Sequence, residues 1–217
     1  MRHPFDLDIP RTLEEACDPR RLALIVYDMQ VGILHQLANG SEITAKVVEV
    51  LQAAREANVR VFFTRHLSLP KELMGVSQLR MAMAWQRVNR VEDIHPWFLR
   101  ESAGFQLVPE LTPQPSEAIF DKITMSAFEG TPLDIALRDC GVNAFAIVGV
   151  ATEIGIEPTV RHGVDLGYLP IVVRDACGAG HREAAVRALA TLEFLGDALF
   201  TSVEALGRLL RRPVSQP

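Results

Sequence analysis

The sequence predicts an α/β protein, a three-layer α/β/α sandwich built on a six-stranded parallel sheet. Three observations predict it. Short apolar runs recur without polar alternation, as strands buried on both faces require. Helical stretches with one apolar face separate most of these runs. Crossovers between parallel strands are right-handed, which places helices on both sides of the sheet.

The elements follow in order. Leu22 to Tyr27 is a continuous apolar run that ends at Asp28. Ser41 is expected to cap a helix over Glu42 to Ala57, with Val47, Val50, Leu51 and Ala54 on one face. Val59 to Thr64 reads as the second strand. Residues 67 to 114 show no clean period and are rich in Met, Trp, Arg and Pro. So long an irregular segment is usually functional or covers a site. Glu117 to Asp121 is a shorter third strand leading to Lys122. Pro132 starts the next helix and Gly141 stops it. Ala144 to Gly149 is the fourth strand, followed by a helix over 155–166. Leu169 to Arg174 is the fifth, followed by a helix over 181–195. Ala198 to Thr201 is a short sixth strand before a last helix to about Leu210.

One domain over 1–217 is the simplest division, since no linker, repeat or low-complexity tract breaks the chain. The tails, roughly 1–18 and 212–217, are expected to be mobile or to pack on a neighbouring subunit. A hydrophobic content of 48% supports a full core. The net charge of −5 argues against binding a nucleic-acid backbone. Three widely spaced cysteines (Cys17, Cys140, Cys177) with no CxxC pair suit a reducing compartment. Cys140 and Cys177 read as small buried residues. No apolar leader and no stretch near the ~20 residues of a membrane span are visible, so the cytoplasm is expected.

Ligands of open parallel sheets bind outside the carboxyl ends of the strands. Asp28 ends the first strand, Lys122 the third, and Gly155 lies just past the fourth. A carboxylate, an amine and a helix start are thus brought to one edge. Glu153, in the first turn after the fourth strand, is either a base for water or a carboxylate placed by the helix dipole.

The pieces Ile25 to Gln30, Thr64 to His66, Lys122, Ser126 to Leu133, Gly149 to Thr152, and Gly167 to Ala176 together resemble the isochorismatase-like hydrolases. The resemblance spans about Leu22 to Leu206 and implies their Rossmann-like fold and a homodimer or homotetramer. It implies Asp28 as catalytic acid/base, Lys122 as its partner, and a cis peptide at Val150–Ala151. It also implies a backbone cradle for substrate oxygen at Ala151, Thr152 and Glu153 through Gly155. Many members use an Asp–Lys–Cys triad, but the cysteine position here is Gly155, which carries no nucleophile.

Isochorismatases also carry glycine there and cleave a vinyl ether by proton transfer. The leading expectation is therefore vinyl ether hydrolysis of isochorismate or a related small acid, with Asp28 as the acid. The lost thiol is expected to leave room beside Asp28 for a substrate ring. A departure is that isochorismatases carry a Tyr-Ala-His type run where this chain has Ala151-Thr152-Glu153. Alternatives are water-mediated hydrolysis of a small amide or ester, and a silent paralogue that binds a small acid. Arg65, Arg80, Arg87 and Arg90 are available to a carboxylate. Trp85, Trp97 and Phe128 could wall the pocket.

No cofactor is expected. The place where metal-dependent members carry Asp-x-His reads Thr64-Arg65-His66. The other histidines show no ligand spacing. His162 is expected to pair with a neighbour. No GxGxxG or GxxxxGK(S/T) run follows a strand.

Overall fold

The first strand sets the frame of the molecule. In this computed structural model, which describes residues 9–212, β1 (Leu22–Tyr27) is buried along its whole length. Side chains alternate across a strand. Leu22, Leu24 and Val26 therefore enter one core, and Ala23, Ile25 and Tyr27 the other.

The remaining strands are β2 (Arg60–His66), β3 (Ala118–Lys122), β4 (Ala144–Val150), β5 (Leu169–Gly178) and β6 (Leu199–Thr201). They form one sheet in the order β3-β2-β1-β4-β5-β6, with every pair parallel. The chain winds outward from β1 to β3, then returns to β4 and winds the other way. The switch point between β1 and β4 opens a crevice at the carboxyl ends.

The helices are α1 (Leu13–Ala16), α2 (Val31–Leu34), α3 (Gly40–Glu56), α4 (Val76–Gln86), α5 (Leu133–Asp139), α6 (Glu157–Asp165), α7 (Arg182–Leu195) and α8 (Val203–Leu210). One core takes Val47, Val50 and Leu51 of α3 and Leu206 and Leu210 of α8. The other takes Leu133 and Leu137 of α5, Val160 of α6 and Leu192 of α7. The three-layer α/β/α architecture is thus present.

Several local expectations need correction. Ser41 does not cap α3: the helix begins at Gly40 and the cap position is Asn39, with no side-chain bond. The segment 67–114 is not wholly irregular, because it contains α4 and several single 3-10 turns. No residue of α4 is fully buried, so no apolar face marks it in the sequence. The helix read over 155–166 is a π-turn over 152–156 followed by α6. Within the N-terminal tail, Ala16 and Cys17 are buried in the first core. The tail residues 1–8 and 213–217 lie outside the described residues.

The cysteines divide differently from expectation. Cys17 is buried, Cys177 half-buried, but Cys140 is exposed at the end of α5. Burial pushes the Cys17 and Cys177 thiols up to about 12. At pH 8, one thiol per folded chain is therefore expected to react rapidly with a chromogenic disulfide reagent, and three in urea. Rapid reaction of all three without denaturant contradicts this arrangement. No helix among the described residues is long and apolar enough to cross a membrane.

Candidate active site

Asp28 leaves β1 in the left-handed region, with φ 47°. Such a conformation in a non-glycine residue costs on the order of 1–3 kcal/mol and persists where its surroundings over-determine it. Here they do. The Asp28 amide donates to the Thr64 carbonyl at 3.2 Å, and the Thr64 hydroxyl donates to Asp28 Oδ1 at 2.6 Å. Lys122 Nζ donates to Oδ2 at 2.7 Å. Both carboxylate oxygens thus accept hydrogen bonds.

Lys122 closes β3, beside His66 in the register of β2 and β3. Its ammonium also donates to the Thr124 carbonyl at 3.2 Å and sits 4.3 Å from the centre of the Tyr27 ring. The Lys122 side chain is fully inaccessible and that of Asp28 is 5% accessible. Burial lowers the Lys122 pKa from its ordinary value, against the opposing pull of Asp28. Burial first, and then the Lys122 charge, holds the His66 imidazole below its usual 6.5, so it is neutral at pH 7. Gln30 locks this corner. Its amide donates to the carbonyls of His66 and Phe105 at 3.0 Å and accepts from the His66 N–H at 2.6 Å.

The third position is where structure departs most from expectation. Gly149 pairs with Tyr27 across β1 and β4 and has φ 122°, which a side chain rarely adopts. The Val150–Ala151 peptide that follows is cis. The chain then coils through the π-turn, and Gly155 comes directly against the tip of Tyr27. A Cβ on Gly155 would lie far inside 3.0 Å of the Tyr27 hydroxyl and ring. The space beside Asp28 is therefore not open for a substrate ring. The protein's own tyrosine fills it.

The Tyr27 hydroxyl donates to the Met125 carbonyl. Desolvation, and then the Asp28 carboxylate beside it, hold the phenol well above its usual 10. Thr159 of α6 donates to the Gly155 carbonyl at 2.7 Å and accepts from the Ala127 N–H at 3.0 Å. Those bonds hold the loop after β3 against the turn after β4.

Two amides of the expected backbone cradle, those of Ile154 and Gly155, are committed elsewhere. The N–H groups of Ile154, Gly155 and Ile156 all point to the Ala151 carbonyl, at 3.3, 3.0 and 3.2 Å. The Thr152 hydroxyl donates to the Gly178 carbonyl at 2.9 Å. Glu153 does not face Asp28: its Oε1 accepts from His181 N–H at 2.5 Å, at the start of α7.

A small, half-open pocket of about 60 Å³ lies under the long insert. Met74, Met81, Trp85, Trp97, His66 and Met125 are among the residues that line it. Asp28 and Lys122 do not line it, but Lys122 is the strand partner of His66, which does. No lysine or arginine lines this pocket. Arg65 instead pairs with Asp121 at 2.8 Å. Arg80 and Arg87 are exposed, and Arg90 pairs with Glu92 on the surface. Phe128 lies in the core against Phe145 and Tyr168, not on the pocket wall.

The structure thus brings together Asp28, Lys122 and Gly155, and places Trp85 on a neighbouring wall. It leaves Glu153, Arg87 and Phe128 elsewhere. Sequence reasoning missed Tyr27, Thr64 and His66 as site residues. One signal was available for Tyr27: it is the single aromatic in an otherwise aliphatic strand, next to the key carboxylate. His162 does pair with a neighbour, the Ser126 hydroxyl at 2.9 Å. Among the described residues no group of three His, Cys, Asp or Glu side chains lies together as a metal site.

Comparison with known proteins gives a consistent result. The sequence model of the isochorismatase domain matches residues 22–204. The ureidoacrylate amidohydrolase RutB of Cronobacter sakazakii is 32% identical over 88% of this chain and 93% of its own length. A cysteine hydrolase from Pseudomonas syringae pv. phaseolicola superposes with a TM-score of 0.76, at 26% identity over 90% of this chain and 94% of that one. An isochorismatase family protein from Burkholderia thailandensis gives 0.73, at 26% identity over 91% and 98%.

Proposed function

The chain belongs to the isochorismatase family of hydrolases, and from that premise we propose that it hydrolyses a small, weakly charged amide or ester by direct attack of water. The observation that carries this reading is the contact of Tyr27 with Gly155. It removes the nucleophile and the space for one, so no acyl group is held on the protein. Asp28, accepting from Thr64 and Lys122, keeps lone pairs for a water proton.

The reaction then has two steps. Water loses a proton to Asp28 as its oxygen bonds to the carbonyl carbon, and the carbonyl electron pair moves onto oxygen. The tetrahedral adduct collapses, the bond to the leaving nitrogen or oxygen breaks, and that atom takes the proton from Asp28. Lys122 holds Asp28 in place and offers positive charge to the adduct. Two features support an amide or ester over a dicarboxylate such as isochorismate. The pocket wall is apolar, with a neutral His66 and no lysine or arginine. One relative is named for hydrolysis of an amide, ureidoacrylate.

Vinyl ether hydrolysis remains the second reading because of one observation. The N–H groups of residues 154–156 are taken by Ala151, and that route forms no carbonyl oxyanion needing them.

Hydrolysis of 4-nitrophenyl acetate and benzamide, followed beside pyruvate release from isochorismate, separates the two. Turnover of the ester or amide is expected. Asp28→Asn is expected to lower it about 10²- to 10⁴-fold, as loss of a general base does. Mass spectrometry during turnover is expected to show no acylated chain. An acyl adduct, or pyruvate release alone, overturns the leading reading.

A further inference from the structure

The Ile154 and Gly155 amides of the expected cradle are bonded to Ala151, so direct hydrolysis calls for a further donor to the developing oxyanion. We propose that Tyr27 is a catalytic residue, whose phenol hydroxyl stands where a side chain of residue 155 would project and donates a hydrogen bond to the substrate oxygen as it becomes charged. This assignment rests on the hydrolase reading above.

Position comes first. The atom that a Cβ on Gly155 meets first is the Tyr27 oxygen, with the ring carbons behind it. The phenol therefore lies in the volume that a residue-155 side chain needs, beside Asp28 and under Lys122. A glycine at 155 is what permits a tyrosine at 27, and the two form one unit across the β1–β4 crevice.

Chemistry comes second. The phenol is neutral, because burial and the neighbouring carboxylate oppose its ionisation. It is a donor, not a nucleophile. Its present acceptor is the Met125 carbonyl, and Met125 lines the pocket. Rotation about the bond from ring to oxygen redirects the proton without moving the ring. The ring is held by burial among Ile156, Phe128 and the strand neighbours. A donor fixed this way needs little reorganisation during reaction.

The addition step then balances as follows. The water oxygen bonds to the carbonyl carbon, and one water proton goes to Asp28. The carbonyl pair moves to oxygen, where the Tyr27 O–H and the Lys122 charge meet it. On collapse the pair returns, the leaving atom departs with the Asp28 proton, and the phenol keeps its own proton throughout.

The test compares wild type, Asp28→Asn and Tyr27→Phe. Three quantities are read: 4-nitrophenyl acetate turnover, benzamide affinity, and affinity for phenylphosphonate as a tetrahedral anion. Tyr27→Phe keeps the ring under Lys122 and the packing. It is expected to lower kcat about 10²- to 10³-fold, the usual effect of one lost oxyanion donor, with KM within about threefold. Phenylphosphonate is expected to bind at least ~10-fold more weakly and benzamide unchanged, because only the first resembles the adduct.

A folded Tyr27→Phe chain with kcat within about threefold of wild type overturns the assignment and leaves the hydrolase reading standing. A wild type no faster than Asp28→Asn removes the hydrolase reading, and the role of Tyr27 with it. Should Tyr27→Phe fail to fold, 3-fluorotyrosine in a Tyr168→Phe background labels Tyr27 alone, since the chain has two tyrosines. A more acidic phenol is expected to raise kcat, and an unchanged kcat overturns the proposal.

Discussion

Gly155→Cys is expected to destabilise the fold by about 1–3 kcal/mol and to gain no thiol-dependent amidase activity, because the new side chain has nowhere to go. Sequence alone leaves open whether a thiol placed at 155 would find the rest of its machinery in place. The structure locates the obstacle. A Cβ at 155 meets the end of Tyr27, and Tyr27 is 2% exposed with its hydroxyl bound to Met125. Tyrosine tips can yield elsewhere, but this one is buried and anchored at its hydroxyl. Tyr27→Val alone is also expected to be destabilising, by about 3–5 kcal/mol, since it empties an aromatic site.

The double variant, Tyr27→Val with Gly155→Cys, carries the argument. Truncation at position 27 leaves a hole that the new side chain at position 155 partly refills, so the two losses should not add. A favourable coupling of about 0.5–3 kcal/mol is expected from urea midpoints of the four chains. The introduced thiol would then have Lys122 nearby, whose charge favours thiolate, and Asp28 to take its proton. Alkylation of the introduced thiol by iodoacetamide in the folded double variant, with acyl-enzyme formation on a small amide, is the expected gain. Strict additivity of the two stability losses contradicts the view that 27 and 155 share one space.

How far the sequence discloses this arrangement depends on distance along the chain. The four central strands β1, β2, β4 and β5 are legible as apolar runs because each is buried over much of its length, and buried strands leave few polar gaps, while the edge strands β3 and β6 are shorter and only half-buried. Asp28 and Lys122 are legible as partners because parallel strands deliver their carboxyl ends to one edge, whatever lies between. The side chain of Tyr27 is a harder matter. Its direction follows from strand alternation, but its neighbour Gly155 lies within a π-turn that no periodicity marks. The pocket is harder still. α4 has no fully buried residue, so nothing in its pattern separates wall from solvent. Phe128 and Trp85 look alike as candidate walls. Their fates are decided by whether a rigid loop turns inward, as at Ser126–Thr131, or stays with the insert. The arginines fail for a related reason: Arg65 is drawn to Asp121 on the adjacent strand, a pairing set by the β2–β3 register.

Lys122→Met is expected to lose about 3–5 kcal/mol of stability along with activity, a larger cost than any surface ion pair would carry. The reason is what it leaves behind. Asp28 is 4% exposed and held in a left-handed conformation by its surroundings, and it would keep the Thr64 hydroxyl as its donor but lose its countercharge. A buried carboxylate without that charge is costly, whereas a buried pair replaced as a whole often is not. The double variant Asp28→Asn, Lys122→Met should therefore recover most of the loss, to within about 1 kcal/mol of wild type, and remain inactive. Asparagine tolerates the left-handed backbone and still accepts from Thr64. Denaturation in urea at pH 7 on the three chains decides the point, provided the slopes agree. A Lys122→Met chain as stable as wild type would mean that the pair is hydrated in solution. A double variant no better than Lys122→Met would mean that the lysine stem, not the charge, supports the strand end. The expected pattern, a stable but inactive double variant, would identify the pair as retained for chemistry at a site the fold could build without it.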